Sequence, residues 1–310
     1  MSHSTDSGRN GENKTLLLTG GTGFIGRFLV PRLVADGWDV VVYSRQHPEK
    51  VTRILGADVR SIQSLGDWSG SEPPAVCINL AGEGIMDRRW TAARKQILRD
   101  SRIGLTMELA GWLKRWQRPL DVLISGSATG FYGVHDGDLS LDESAPAGTD
   151  FAAMLCDDWE QSASAVPAER RCILRTGIVL HSRFGALSKL LLPFKMGVGG
   201  PVGCGEQVMS WIHIDDMVSG ILHLLGDEQA SGAFNMVAPN AVTNREFSRA
   251  LGQALHRPSF MPMPAPVLKL MLGEGALLLL EGQRPVPAAL KASGFSFSFP
   301  ALEQALVDLL

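Results

Sequence analysis

One stretch constrains the fold of this chain more than any other: Thr15 to Ser44, TLLLTGGTGFIGRFLVPRLVADGWDVVVYS. The run Leu16–Leu18 has the length and apolar character of a strand buried on both faces. It breaks into Gly20, Gly21, Thr22, Gly23, Phe24, Ile25 and Gly26. A helical period of apolar residues (Phe24, Ile25, Phe28, Leu29, Leu33, Val34) then runs to about Ala35. Gly37 stands where a helix commonly ends in a left-handed residue. A second apolar strand follows at Val40–Tyr43. Strand, glycine turn, helix and strand together form the setting in which a glycine motif points to a dinucleotide site.

Each residue type has a reason. The glycines allow a tight turn and let backbone N–H groups approach a charged pyrophosphate. The helix that follows presents unsatisfied donors and a partial positive charge to the same group. Gly26 would let the helix lie close to the strand. An NAD site needs a carboxylate near the end of the second strand to accept the ribose hydroxyls. Here that strand ends Tyr43-Ser44-Arg45-Gln46, and no acid occurs before Glu49. A hydroxyl and a guanidinium suit a 2′-phosphate instead. The expected cofactor is therefore NADP(H).

The spacing Gly-x-x-Gly-x-x-Gly (Gly20, Gly23, Gly26) differs from that of ordinary dehydrogenases and resembles the extended short-chain dehydrogenase/reductase superfamily. Further on, Asn79-Leu80-Ala81-Gly82 closes a fourth strand. In the superfamily this loop passes beside the nicotinamide ribose. Ser125-Gly126-Ser127-Ala128-Thr129-Gly130-Phe131-Tyr132-Gly133 resembles its serine-rich turn before Tyr-Gly. The resemblance implies that Ser127 hydrogen-bonds the substrate's reacting oxygen, although Ser-Gly-Ser is also ordinary turn chemistry. The superfamily's Tyr-x-x-x-Lys pair is absent. The chain has two tyrosines, Tyr43 and Tyr132, and neither has a lysine four residues on.

That departure is shared by an atypical group, the uncharacterised "epimerase family" proteins. Arg88-Arg89-Trp90, Ser101-Arg102-Ile103, Cys156-x-x-Trp159-Glu160, Arg175-Thr176-Gly177 and Trp211-Ile212-His213-Ile214-Asp215-Asp216 are similar to that group from Lys14 to Leu310. It implies an α/β fold: a doubly wound parallel Rossmann sheet with a smaller C-terminal substrate-side lobe. The expected division is a disordered tail at 1–13, a nucleotide-binding domain at 14–240 to whose substrate lobe 180–232 contribute, and a helical module at 241–310. The function implied is an oxidoreductase or epimerase on a small polyol, carbonyl or nucleotide-sugar-like substrate. The alternative is a catalytically degenerate, redox-responsive NADP(H)-binding protein. For the missing acid/base, Cys156 and Tyr132 are the candidates. A nearby cation could activate the thiol, or Cys156 is a small buried hydrophobe, and the relatives place the Tyr-Gly turn at the pocket rim. Lys95, Arg102 and Gln207 are expected on the substrate side.

Composition narrows the partners. At 310 residues, 45% hydrophobic and net charge −3, the chain offers no electrostatic case for nucleic acid or an anionic membrane. The longest apolar segment, Pro266–Leu280, holds Lys269 and Glu274 and is too short to span a bilayer. Residues 1–13 lack the apolar core of a signal peptide. Four cysteines without metal-type spacing fit free thiols in a reducing, cytoplasmic setting. His213 with Asp215 and Asp216 makes a poor metal cage, and is expected to lock the C-terminal lobe onto the sheet. A homodimer is possible.

Overall fold

The computed structural model describes residues 14–135 and 139–310; the tail expected at 1–13 lies outside them. Seven parallel strands form the central sheet: β1 (Thr15–Thr19), β2 (Asp39–Tyr43), β3 (Arg60–Ile62), β4 (Val76–Asn79), β5 (Leu120–Ala128), β6 (Ala168–Thr176) and β7 (Gly232–Met236). Their spatial order is β7-β6-β5-β4-β1-β2-β3. The chain leaves β1 toward β2 and β3, then returns to β4 on the other side of β1. The glycine turn therefore opens at the topological switch point, where ligands of such sheets bind.

Alternation along the strands explains the two layers. Leu16, Leu18, Val40, Val42, Ile78 and Ile124 face helices α1 (Phe24–Ala35) and α7 (Ile214–Gly226). Leu17, Val41, Cys77 and Leu123 face α4 (Leu105–Leu113) and α5 (Phe151–Ser164). With both faces covered, strands need no polar side, which is why β1 and β4 read as unbroken apolar runs.

Where the periodicity suggests one helix over about 91–112, there are two, α3 (Ala92–Arg99) and α4, joined by a π-helical turn at Asp100–Gly104. The Thr106 hydroxyl donates to the Arg102 carbonyl (2.7 Å) and Ser101 to that of Leu98 (3.0 Å), and this back-bonding absorbs the register change. Thr106 Oγ1 also accepts from Asn79 Nδ2 (2.9 Å), while Asn79 Oδ1 accepts from Thr19 Oγ1 (2.6 Å). This buried chain pins the ends of β1 and β4 at the switch point.

Beyond β6 a third apolar cluster unites α6 (Gly185–Lys195), α8 (Asn244–Ala254) and the last helix, Leu302–Leu309. The Asp216 carboxylate accepts the backbone N–H groups of Ser298 (2.8 Å) and Phe299 (2.9 Å), and the His213 ring stacks on Phe299 with centroids 3.9 Å apart. The Trp211–Asp216 stretch thus ties the C-terminal segment to α7, as expected. The four cysteines are free thiols. Among the described residues, no helix is long and apolar enough to cross a membrane.

Candidate functional site

The glycine turn is shaped by contacts that exclude side chains. Gly20 has φ +72°, and a Cβ there would lie 2.6 Å from the Leu80 carbonyl oxygen. A Cβ on Gly26 would lie 2.6 Å from Gly20 O and closer still to Gly21 O. Gly23 caps α1 without a side-chain partner, and no acid occupies the first turn. The N-terminus of α1 thus keeps backbone donors and its positive end for an anion. The loop Leu80–Gly82 lies against this turn, held by Thr19 Oγ1 accepting from Ala81 N (3.2 Å). Asn79 differs from the expected cofactor contact. It is buried, with both amide atoms committed to Thr19 and Thr106, so it shapes the loop from behind.

At the end of β2, Ser44 Oγ accepts from Gln46 N (3.1 Å). The Arg45 side chain is 87% exposed and reaches Glu83 Oε1 (3.1 Å), on the loop after β4. Glu83 also meets Arg94 Nη1 at 3.4 Å. The hydrogen bond from Arg45 holds the Glu83 carboxyl below its ordinary range. Nothing local in the sequence pointed to Glu83, because its partners lie 38 and 11 residues away. An ion pair this exposed contributes ~0–1 kcal/mol, so Arg45 can turn to a phosphate at little cost.

At the ends of β5 and β6 a buried polar network replaces the expected tyrosine and lysine. Ser127 Oγ donates to Glu160 Oε1 (2.6 Å), and Glu160 is clasped by Arg175 through Nε (3.0 Å) and Nη2 (2.9 Å). Arg175 Nη1 donates to Tyr132 Oη (3.1 Å) and to the Glu143 carbonyl (3.0 Å). Tyr132 in turn donates to Asn235 Oδ1 (2.7 Å). The guanidinium lies 3.5 Å over the Phe131 ring. Two of the expected candidates are placed here. The Tyr-Gly turn reaches the cavity below through Gly133 and Val134, but the Tyr132 side chain is fully buried, and burial raises its hydroxyl pKa even with Arg175 alongside. Cys156 is no activated thiol: burial, with the Glu160 carboxylate adding to it, pushes its pKa up to about 12.

In front of this network opens a cavity of about 560 Å³, between the strand ends and the segments 207–210 and 274–283. That volume suits a small molecule. Cys156 and Ala152 line it one helical turn apart, and Phe24 and Ile25 bring the glycine turn to its edge. Ser127 does not line it. Gln207 lines the cavity, but its amide donates to the carbonyls of Val202 (3.0 Å) and Leu279 (2.7 Å). Lys95 and Arg102 do not line it. Lys95 pairs with Glu274 (2.6 Å), and Arg102 donates to Glu83 O (2.9 Å) with its guanidinium over Trp159.

One lining residue that the sequence did not single out is Thr129. Among the lining hydroxyls, Thr176 donates to Leu174 O (3.2 Å) and Ser210 to Gln283 O (2.9 Å). Thr129 Oγ1 has no hydrogen-bond partner among the described residues. It sits in the serine-rich turn, two residues past the position that the motif singles out.

Comparison with known proteins agrees with this arrangement. The NAD dependent epimerase/dehydratase family model matches residues 16–153, and a domain of unknown function, DUF1731, matches 263–309. The epimerase family protein SDR39U1 of Bos taurus is 38% identical over 307 residues, covering 95% of this chain and 99% of that one. This chain belongs to the epimerase family. Within that family YfhF of Bacillus subtilis is 34% identical over 301 residues, covering 95% and 97% of the two chains. The crystal structure of human SDR39U1 with NADPH superposes with a TM-score of 0.86 at 34% identity, covering 95% of this chain and 98% of that one. The family fold is an NAD(P)-binding one, and the glycine turn with its excluded Cβ positions fits that group.

Proposed function

We propose that this protein is an NADP(H)-dependent oxidoreductase acting on a small carbonyl compound or the corresponding alcohol. The observation that carries the reading is the placement of the cavity: it meets the glycine cradle at Phe24 and Ile25 and presents an unpartnered hydroxyl, Thr129. NADPH in the human relative supports the choice of cofactor. Gly20–Gly26 and the start of α1 would hold the pyrophosphate, and Arg45 the 2′-phosphate. Bound there, the nicotinamide supplies hydride chemistry. Thr129 Oγ1 donates to the reacting oxygen and orients it, while Phe24, Ile25 and Trp90 exclude water. The Ser127 proton is committed to Glu160, so Ser127 and Arg175 stiffen the turn that carries Thr129.

A second reading has its own observation. Every hydroxyl expected to move a proton is engaged elsewhere, which favours a cofactor-binding protein without turnover. NADPH oxidation against a panel of aldehydes and ketones separates the two. Turnover that falls at least tenfold in Thr129→Val and returns in Thr129→Ser, with NADPH affinity unchanged, is the expected result; no turnover with any carbonyl supports the binder. Cofactor preference is tested apart from activity, by quenching of tryptophan fluorescence. NADPH should bind at least tenfold tighter than NADH, about 1.4 kcal/mol, and Arg45→Ala should erase the difference. Equal affinities in the unaltered protein would sink the NADP(H) assignment.

A further inference from the structure

We infer that the cavity is built for an uncharged, largely apolar ligand and rejects nucleoside-diphosphate sugars. This deepens the proposed function by naming its substrate class, and it rests on that reading only in treating the ligand as substrate.

Charge supplies the first ground. Among the described residues, no lysine, arginine or histidine lines the cavity, whereas Asp150, Glu274 and Glu281 do. A diphosphate needs cationic or backbone N–H partners at short range. The helix-start donors at Gly20–Gly26 belong to the cofactor, and the other uncapped helix start on the wall, at Gly185 and Ala186, has no cationic side chain beside it in the lining. Three basic groups around it are engaged elsewhere: Lys95 is held by Glu274, Arg102 by backbone carbonyls, and Arg175 by Glu160. A second pyrophosphate in this cavity would meet three carboxylates, and the one cation paired with them, Lys95, is already taken by Glu274.

Hydrogen bonding supplies the second. A sugar ring presents several hydroxyls, and each must find a partner when it leaves water. Five of the polar side chains here are engaged by the protein itself. Gln207 bonds two carbonyls, Ser210 and Thr176 one each, Asn244 Oδ1 accepts from Val202 N (2.6 Å), and Asp150 caps α5 at Ala153 N (3.0 Å). Thr129 is the one lining hydroxyl left, with the side chains of Glu281 and Gln283 beside it on the wall. The rest of the wall is hydrocarbon and aromatic, with Ile85, Met86, Trp90, Phe151, Met209 and Leu278 from four separate segments. One hydroxyl in an apolar pocket matches a molecule with one polar oxygen on an apolar body, such as a medium-chain aldehyde or an apolar ketone.

The test measures binding, with the full chain and saturating NADPH. N-phenyl-1-naphthylamine, a neutral apolar dye, should bind saturably with a rise in fluorescence. Decanal should displace it, and UDP-glucose at a hundredfold excess should not. Leu278→Arg and, at the cavity mouth, Met86→Lys should each weaken dye binding at least tenfold; circular dichroism and NADPH quenching identify a variant that fails to fold. Displacement by UDP-glucose, no saturable dye binding, or dye binding untouched by both folded variants would overturn the inference. Decanal that displaces the dye yet is not reduced would leave the apolar site standing and count against the oxidoreductase alone.

Discussion

Arg175→Ala is expected to destabilise the protein by about 3–5 kcal/mol, the cost of leaving a buried carboxylate without its counter-ion. Arg175 and Glu160 are 7% and 13% exposed, and their two parallel hydrogen bonds leave no room for water to substitute. Loss of the guanidinium would also free Tyr132 Oη from its donor and uncover the Phe131 ring. Urea unfolding followed by tryptophan fluorescence reads the loss directly. Glu160→Gln should cost less, since a neutral amide can still accept from Ser127. The double variant Glu160→Leu with Arg175→Met should recover more than half of the Arg175→Ala loss, because hydrocarbon of similar volume carries no desolvation cost. A loss under ~1 kcal/mol in Arg175→Ala would show that the network does not hold the ends of β5 and β6.

That network also marks where the sequence stops being legible. The β1–α1–β2 unit was readable almost to the residue, because strand length, helical period and terminal glycine are local signals; α1 spans Phe24–Ala35, and Gly37 has φ +82°. The start of α8 follows the same local logic: Thr243 Oγ1 accepts from Glu246 N (3.2 Å) while Glu246 Oε2 accepts from Thr243 N (2.7 Å), a threonine and a glutamate three residues apart. Polar partners across the fold were not. Ser127 chooses Glu160 over 33 residues and Tyr132 chooses Asn235 over 103, through a convergence that no spacing encodes. The serine motif singled out Ser127, but it could not show that a buried carboxylate takes the Ser127 proton while Thr129, two residues on, lines the cavity. Cys156 was placed correctly on its helix. What the sequence could not convey was how dry its surroundings are, and dryness is what decides a thiol's pKa.

Gly26→Ala should abolish tight cofactor binding while leaving most of the fold intact. The added methyl would press on the carbonyl oxygens of Gly20 and Gly21, and backbone cannot swing aside as a flexible side chain can. Either the start of α1 lifts or the glycine turn opens, and both move the donors meant for the pyrophosphate. Overpacking of this kind costs about 1–3 kcal/mol of stability. Binding should suffer more, because an anion site depends on several N–H groups converging at once. The expected loss is at least a hundredfold in NADPH affinity, about 2.7 kcal/mol, read by tryptophan quenching. Gly111→Ala is the control: in α4, with nothing within 4 Å of the new methyl, it should leave affinity unchanged and gain about 0.5–1 kcal/mol from helix propensity. Gly26→Ala with unaltered NADPH affinity would place the pyrophosphate somewhere other than the switch point.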